Sequence, residues 1–351
     1  MDDASFKFLE DLLSTPGVSG YEQPVQQVVR NYAESFADEI QSDLHGNLIL
    51  SKNANASMRL MYAGHCDQIG LIVTQIEESG FLYFQTIGGW DPQQLVGQRV
   101  SIWTESGEIP GVVARKAIHL QDESERKKIS QLKELWIDIG ATNKENAASI
   151  VRIGDSVTLQ LGMQKLRNGL ASGPAMDDRT GLWVCVEAMR RASDQLDCAL
   201  FVASTVQEEI GLRGAKTAAF TIDPHIGIAV DVTHATDCPT IDKRQQGEVS
   251  LGSGPVVFRG PNMNPKVVQR LISTSDATEL PYQLSALGRA APNDSNSLQI
   301  NRGGVASGLV AIPNRYMHSA VETIALSDID HAADLLAAFA NSIKSQDDFR
   351  P

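Results

Sequence analysis

The alternation of apolar and polar positions along this chain predicts a mixed α/β protein. Between residues 20 and 37, Val25, Val28, Val29 and Tyr32 recur at helical spacing and lie on one face of a predicted helix. Short apolar runs bounded by turn residues predict buried strands. The predicted helices span residues 6–13, 20–37, 182–191, 215–220, 264–275 and 329–343, and the predicted strands span 59–64, 198–206, 226–232 and 306–312, with a hairpin edge over 43–50.

A different pattern occupies residues 70–162. Short β-like runs there are separated by Gly, Pro and charged turns, with few helical patterns between them. Many short strands of this kind indicate a small barrel or sandwich. We therefore predict an α/β domain, formed by residues 1–69 and 163–351, that is interrupted by a β insertion. The predicted insertion strands span 71–75, 82–87, 99–103, 111–115, 135–139 and 156–159.

Length and charge narrow the class of protein. The 351 residues exceed one typical domain and allow a sizeable buried core, so two domains are expected. With 42% hydrophobic and 21% charged residues, the composition is that of a soluble globular protein. The 30 Lys and Arg against 43 Asp and Glu give a net charge of −13, and no dense basic cluster is present. Nucleic acid is therefore not an expected partner.

The cysteines and the N-terminus bear on the compartment. Cys66, Cys185, Cys198 and Cys238 are scattered and form no CxxC pair, a pattern typical of buried free thiols in a reducing cytoplasm. The N-terminus lacks the basic start and apolar core of a secretory signal. No apolar run approaches membrane-spanning length. We therefore expect a cytoplasmic protein with no membrane partner.

Two adjacent carboxylates follow the predicted strand over 198–206. Glu208 and Glu209 stand where ligands gather in open α/β sheets, beyond the carboxyl end of a strand. Successive side chains of an extended chain point to opposite sides, so one glutamate would hold a metal while the other faces the substrate. An isolated Glu–Glu pair would instead be typical of a solvated loop, but three other strand ends favour the functional interpretation.

Further candidate residues lie near the ends of other predicted strands. His65 and Asp67 are two apart in extended chain, on one face, so Asp67 would orient a metal-bound His65. Asp231 ends an apolar strand, where an ionised carboxylate is costly unless it is paired or coordinates a metal. His318 follows the last predicted strand, and His234, close to Asp231, is a candidate for lining the pocket. Taken alone, an HxD pair or a single histidine is more often structural.

Asp177 and Asp178 precede the helix predicted to begin near residue 182. A single aspartate at such a place is typical of a helix N-cap, where it also complements the helix dipole. Two adjacent aspartates leave one free to bridge metal ions, while the other caps the helix or supports the site.

The candidate ligands combine oxygen and nitrogen donors without thiolates. Two imidazoles and three carboxylates are about what two adjacent divalent ions need, with one carboxylate bridging and water at the open positions. Zinc, cobalt or manganese suits such a donor set. The candidate metal ligands are His65, Asp177, Glu209, Asp231 and His318.

A family resemblance rests on eight stretches that follow one another through nearly the whole chain. They are PGVSGYE (16–22), GHCDQIG (64–70), GGWDPQ (88–93), IDIGA (137–141), AMDDRTG (175–181), TVQEEIG (205–211), DVT (231–233) and RYMHS (315–319). In these stretches the chain resembles the dinuclear metallo-aminopeptidases of the glutamyl aminopeptidase, deblocking aminopeptidase and tetrahedral aminopeptidase family. Some members of that family carry an endoglucanase label. Ordered matches of this length are far more specific than any single motif.

The resemblance implies two divalent metal ions per subunit, bridged by Asp177. It also implies that Glu208 is the general base, that Asp67 orients His65, and that the peptide bond between Asp177 and Asp178 is cis. By the same resemblance, the ligands divide into His65, Asp177 and Asp231 for one ion and Asp177, Glu209 and His318 for the other.

The resemblance extends to the architecture and to the substrate side. It implies a three-layer α/β/α catalytic domain of the zinc-peptidase type. The insertion over 70–162 would be the family's small, β-barrel-like (PDZ-like) domain, which helps to build a dimer and then a hollow dodecamer. At 293–295 the chain has Asn-Asp-Ser where the family usually has Thr-Asp-Ala. Asp294 is retained, which makes it a candidate substrate-binding residue.

The implied activity is removal of the N-terminal residue from short peptides with a free N-terminus, and an acidic protein suits that cationic group. Three alternatives stay open. A deacylase of N-acyl amino acids would use the same metals without requiring a free amine. A glycosidase would use Glu208 with another carboxylate and keep its activity after chelation. A non-enzymatic binding shell would have a decayed site, against which the intact ligand set argues.

Overall fold

A computed structural model describes all residues from 1 to 351. It contains seventeen strands, eleven α-helices and three 3₁₀ turns. The strands are β1 (Glu39–Ser42), β2 (Leu48–Lys52), β3 (Arg59–His65), β4 (Gly70–Ile76), β5 (Leu82–Ile87), β6 (Arg99–Thr104), β7 (Gly107–Ala114), β8 (Trp136–Asp138), β9 (Ser156–Leu159), β10 (Gln164–Lys165), β11 (Leu170–Ser172), β12 (Ala199–Thr205), β13 (Ile226–His234), β14 (Val256–Arg259), β15 (Gln283–Ala286), β16 (Ala306–Asn314) and β17 (Thr323–Ala325).

The helices lie between these strands, and three of them are within the insertion. They are α1 (Asp3–Ser14), α2 (Gln23–Ala33), α3 (Pro92–Leu95), α4 (Glu123–Arg126), α5 (Lys144–Ala148), α6 (Met176–Arg191), α7 (Arg213–Ile222), α8 (Lys243–Gln246), α9 (Pro265–Ala277), α10 (Asp294–Gln299) and α11 (Leu326–Ser342). The 3₁₀ turns are Ile118–Leu120, Leu132–Glu134 and Arg167–Gly169. No helix of the chain combines the length and the apolar character needed to cross a membrane.

An eight-stranded mixed sheet forms the centre, in the order β1-β2-β12-β3-β13-β16-β14-β15. Its four middle strands are mutually parallel, and β13 pairs with β16 over nine residues in register from Ile226↔Ala306 to His234↔Asn314. These middle strands are rich in apolar residues because helices cover both faces of the sheet. Helix α6 packs against α1 and α11 and contacts β3 and β13, while α7 and α10 pack together against the same strands. The predicted α/β fold class is confirmed.

Strands β4 to β9 close into a separate antiparallel barrel in the order β4-β5-β8-β7-β6-β9. The barrel has its own core of 15 buried hydrophobic residues, distinct from the 65-residue core of the sheet and its helices. It interrupts the α/β fold between β3 and β10, as the short strand pattern predicted. A role for this barrel in dimerisation stays a prediction.

Several elements differ from the sequence-based expectation. The strands β14 and β15 and the three-stranded sheet β10-β11-β17 were not predicted; each of these strands has only two to four residues. Helix α6 begins at Met176 instead of near 182, although Asp177 and Asp178 inside it have non-helical backbone angles. The first hairpin begins at Glu39, earlier than predicted. All four cysteines are free, as expected.

Strand β3 and helix α6 approach closely at Gly64, one residue before His65. A Cβ added to Gly64 would lie 2.7 Å from the backbone nitrogen of Leu182 and 2.8 Å from its Cα. Gly64→Ala is therefore expected to push the helix away and to destabilise the protein by about 1–3 kcal/mol, as overpacking typically does. Denaturant unfolding of the metal-free protein measures this effect. The matched control is Gly288→Ala, whose Cβ would meet nothing within 4 Å and should leave stability unchanged.

Candidate metal centre and active site

The carboxyl ends of the four parallel strands lie at one edge of the sheet. Strand β3 ends at His65, and His318 lies in the loop that follows β16. Asp177 lies between the two rings. Its Oδ1 is 3.2 Å from His65 Nε2, and its Oδ2 is 3.2 Å from His318 Nε2. Two histidines that are far apart in sequence therefore face the two oxygens of one carboxylate.

Hydrogen bonds orient both imidazole rings. His65 Nδ1 lies 3.1 Å from the carbonyl oxygen of Asp67, and His318 Nδ1 lies 2.8 Å from that of Gly89. A carbonyl oxygen only accepts, so each Nδ1 donates its proton. Each Nε2 then faces Asp177, which is the orientation of metal-bound histidines whose other nitrogen donates to a carbonyl.

Glu208 and Glu209 do not lie in extended chain, contrary to the expectation. Strand β12 stops at Thr205, and Gln207 has a positive φ of 55°, so the two glutamates occupy a turn. They nevertheless reach different partners. Glu208 Oε2 lies 3.8 Å from His65 Nε2, and Glu209 Oε2 lies 3.5 Å from the Nε2 of the other histidine. The expectation that strand alternation points the two side chains to opposite sides was wrong. The turn directs them to different partners instead.

The carboxylate of Asp67 holds this turn in place by hydrogen bonds to its backbone. Its Oδ1 accepts the backbone N–H of Glu208 at 3.0 Å, and its Oδ2 accepts that of Glu209 at 3.2 Å and the hydroxyl of Ser19 at 2.6 Å. Its carboxylate also lies 3.5 Å from His65 Nδ1. Asp67 thus contacts a proposed ligand and the backbone of both glutamates. The fully buried carboxylate positions the site more broadly than the sequence suggested.

Asp178 takes the capping role that the sequence left open between the two aspartates. Its Oδ1 accepts the backbone N–H of Gly181 at 3.1 Å, and its Oδ2 accepts that of His65 at 3.3 Å. Asp177 is left free to face the histidines. The peptide bond between the two aspartates is cis, as the resemblance implied.

Carboxyl groups outnumber the two histidines at the site. Burial and repulsion by neighbouring carboxylates raise the pKa of Glu208 to about 10 and that of Asp231 to about 7. Burial alone would lower the pKa of His65, but the charges of Glu208, Asp177 and Asp67 outweigh it and hold that pKa well above its usual range. The ion pairs of these carboxylates are with the two histidines and with no Lys or Arg. A divalent cation would supply the positive charge that allows these carboxylates to ionise.

The donor atoms fit divalent cations. Ligand atoms of His65, Asp177 and Glu209 lie within 4.8 Å of one another. Those of His65, Asp178 and Asp231 do so too, although both oxygens of Asp178 already accept backbone N–H groups. The buried Oε1 of Glu209 has no hydrogen-bond partner, so it is available to coordinate. Buried carboxylates stay ionised only when they are paired or coordinate metal. The chemistry of the donor set, hard oxygens with imidazole nitrogens, suits such ions.

The family follows from comparison of the whole chain with known proteins. The family model described as M42 glutamyl aminopeptidase matches residues 46–335. The chain belongs to this family. It is a metal-dependent aminopeptidase, a hydrolase that removes N-terminal residues from peptides.

Relatives match the M42 aminopeptidase over almost its full length. A lysyl aminopeptidase from Pyrococcus furiosus is 36% identical over 348 residues, which cover 97% of this chain and 98% of that protein. The TET aminopeptidase from a marine sediment Thaumarchaeota archaeon has a TM-score of 0.93 at 34% identity, covering 97% of each chain. The TET1 peptidase of Pyrococcus horikoshii has a TM-score of 0.86 at 29% identity, covering 97% of this chain and 100% of that one.

The two predicted substrate-binding residues lie in different surroundings. Asp294 is buried at the start of α10, where its Oδ2 accepts the hydroxyl of Thr205 at 2.7 Å and its Oδ1 has no partner. Burial raises the pKa of Asp294 to about 6. His234 is exposed at the end of β13 and forms no hydrogen bond or ion pair with the cluster. Substrate binding by either residue stays a prediction.

Two contributions to the site of this M42 aminopeptidase were missed by sequence reasoning. The carbonyl of Gly89, from the segment after β5 of the barrel, accepts from His318. Glu322, four residues after His318, accepts backbone N–H bonds from both His318 and Asp177. Gly89 lies in one of the matched stretches, which was the available signal. Glu322 lies outside the matched stretches, and no residue pattern around it indicates a role in the site.

Proposed function

We propose that Asp177 bridges two divalent cations, one also held by His65 and Asp231 and the other by Glu209 and His318. The observation that carries this proposal is that the two oxygens of Asp177 each lie 3.2 Å from a different imidazole Nε2. A carboxylate placed in this way offers one oxygen to each ion. Zinc and cobalt are the proposed ions, with manganese as a further candidate, because all three accept mixed oxygen and imidazole ligands.

We assign the general base to Glu208. When bound, the cations lower the pKa of a water molecule and polarise the scissile carbonyl. Glu208 accepts the water proton on its carboxylate and passes it to the leaving amine, a contribution typically worth ~10²–10⁴-fold. Its side-chain oxygens form no hydrogen bond, whereas its backbone N–H is held by Asp67. The carboxylate is therefore free to move a proton while its main chain stays fixed. Nearby positive charge would also bring its raised pKa down towards the working range.

The proposed substrates are short peptides with a free α-amine. The buried carboxylates of the site and the net charge of −13 attract a cationic terminus, and Asp294 offers an unpartnered oxygen near the cluster. Which N-terminal side chain is preferred depends on loops around the site. The role of Asp294 rests on its burial and on the resemblance together.

The test is a panel of aminoacyl anilides, each with its N-acetylated analogue, assayed before and after exhaustive chelation. Chelation should abolish hydrolysis, because the acid–base groups act on a water that the cations activate. Zinc, cobalt or manganese added back should restore it. The free-amine substrates should be cleaved and their acetylated analogues should not.

Other outcomes would identify the alternatives. Hydrolysis of a glycoside that survives complete metal removal would support a glycosidase-type acid–base pair instead. Preference for the acylated compounds would indicate a deacylase on the same metal site. Metal bound at full occupancy with no turnover of any compound would indicate a binding shell.

We also propose that the protein assembles into a homo-oligomer, with dimers that build a dodecamer. The TET1 relative from Pyrococcus horikoshii can assemble into a tetrahedron or a large octahedral shell, which supports this proposal. The barrel spanning β4 to β9 is the proposed dimerisation unit. Light scattering measures the mass directly.

The free thiols support the proposed cytoplasmic location.

A further inference from the structure

We propose that Glu322 is a positioning residue that sets the distance between Asp177 and His318 and so tunes affinity for the ion they share. This inference rests on the proposed function, in which both residues are metal ligands. Glu322 makes no direct contact with the ions or the substrate in this proposal. It acts through the backbone of two ligands.

The carboxylate of Glu322 bridges two segments that lie far apart in sequence. Its Oε2 accepts the backbone N–H of Asp177 at 3.0 Å, and its Oε1 accepts that of His318 at 2.7 Å. The side chain is 2% exposed, and no Lys or Arg forms an ion pair with it. Both distances lie within the range of well-formed N–H···O hydrogen bonds. One rigid group therefore links the segment after β11 to the loop after β16.

The backbone of Glu322 is itself fixed to the same region. Its carbonyl oxygen accepts the N–H of Gly173 at 3.0 Å, and the next residue, Thr323, pairs with Ser172 in the β11–β17 ladder. Gly173 lies only four residues before Asp177. The carboxylate is thus held by a strand pair instead of by a mobile loop, so it can define a distance.

His318 needs such a restraint because its backbone is unfavourable. Its φ is 60° and that of Tyr316 is 63°, both in the left-handed region. Non-glycine residues in that region cost of order 1–3 kcal/mol and persist only where the surroundings impose them. The ring is restrained by the carbonyl of Gly89, but the main chain of His318 is restrained by Glu322. Without this bond the loop would relax and carry Nε2 away from Asp177.

The test compares Glu322→Gln, Glu322→Asp and wild type by titrating the metal-free protein with Co²⁺ and following the visible absorption of the bound ion. Gln keeps the size of the side chain but replaces one accepting oxygen with a donor, which faces a backbone N–H. We expect one of the two Co²⁺ to bind about 10–100-fold more weakly, the usual effect of losing a residue that orients a metal ligand. Asp keeps both acceptor oxygens and should recover part of the affinity.

Asp328→Asn is the matched control. Asp328 is also a buried carboxylate that accepts two backbone N–H bonds, from Gly252 and Gly254 at 2.8 Å each, but it touches no proposed ligand. A purely structural loss should lower the thermal midpoint of both variants and leave the Co²⁺ affinity of both unchanged. Only the Glu322 variant should lose affinity.

His318→Ala separates this inference from the proposed function. It should bind only one Co²⁺ tightly, and unchanged binding of two ions would refute the ligand assignment itself. If His318→Ala loses an ion while folded Glu322→Gln binds both at wild-type affinity, only the positioning role is overturned. If Glu322→Gln does not fold, Glu322→Asp decides, because wild-type affinity in that variant overturns the role and weakened affinity supports it.

Discussion

Glu208→Gln should retain its metal ions and lose nearly all turnover. The amide cannot accept the water proton, and the loss of general acid–base catalysis alone accounts for ~10²–10⁴-fold in kcat. Folding should be preserved, because the hydrogen bond that holds this residue is donated by its backbone N–H to Asp67. Removing one of several mutually repelling buried carboxylates should if anything stabilise the metal-free protein, since burial and its acidic neighbours raise the pKa of Glu208.

Two measurements together decide the role of Glu208. Metal content by elemental analysis should equal that of wild type, and kcat should fall while KM changes little. Glu39→Gln is the control, because that residue is exposed on edge strand β1, away from the site, and should show wild-type activity. Near-normal turnover in Glu208→Gln would show that another group moves the proton.

Asp177→Asn should lose tight binding of both ions and at least about 10³-fold in activity. A metal ion contributes several kcal/mol of charge stabilisation, and each ~1.4 kcal/mol corresponds to a factor of ten in rate. An amide offers one neutral oxygen where the carboxylate offers two charged ones, facing His65 and His318. Loss of a bridging ligand should therefore affect both ions, whereas loss of a ligand to one ion should affect only that one.

The contrast with Glu209→Gln makes this prediction specific. Glu209 forms its ion pair with His318 and is proposed to hold only the ion next to that histidine, so its variant should retain one tightly bound ion. Calorimetric titration with Zn²⁺ counts the sites in each variant. Thermal unfolding adds a second readout, because a ligand at 100 times its Kd stabilises the folded state by about 2.7 kcal/mol. Asp177→Asn should lose most of this metal-dependent stabilisation, and two intact sites in that variant would rule out the bridge.

The sequence alone was sufficient for the long elements and for the location of the site. Residues 199–203 of β12 and 226–230 of β13 form apolar runs, which are typical of strands covered on both faces. Parallel strands place their carboxyl ends at one edge, so polar residues that follow them must converge there. His65 and His318 meet for this reason, although no local pattern relates one to the other. Asp177 reaches the same place from the start of helix α6.

The geometry within the site was decided by tertiary structure. The expectation that Glu208 and Glu209 alternate in extended chain was wrong because Gln207 turns the chain first. Residue types alone left open which of Asp177 and Asp178 caps the helix. Both oxygens of Asp178 accept backbone N–H groups, from β3 and α6, so Asp178 is the one that does.

Glu322 marks the limit of what the sequence determines about this protein. Periodicity and strand ends, which act over a few residues, indicated an α/β fold with a barrel insertion and an edge rich in candidate metal ligands. The contact of Glu322 with Asp177 joins residues 145 positions apart through a backbone N–H, a group that every non-proline residue carries. Such a bond leaves no residue pattern behind, so only the folded chain could show which carboxylate holds the ligands at their distance.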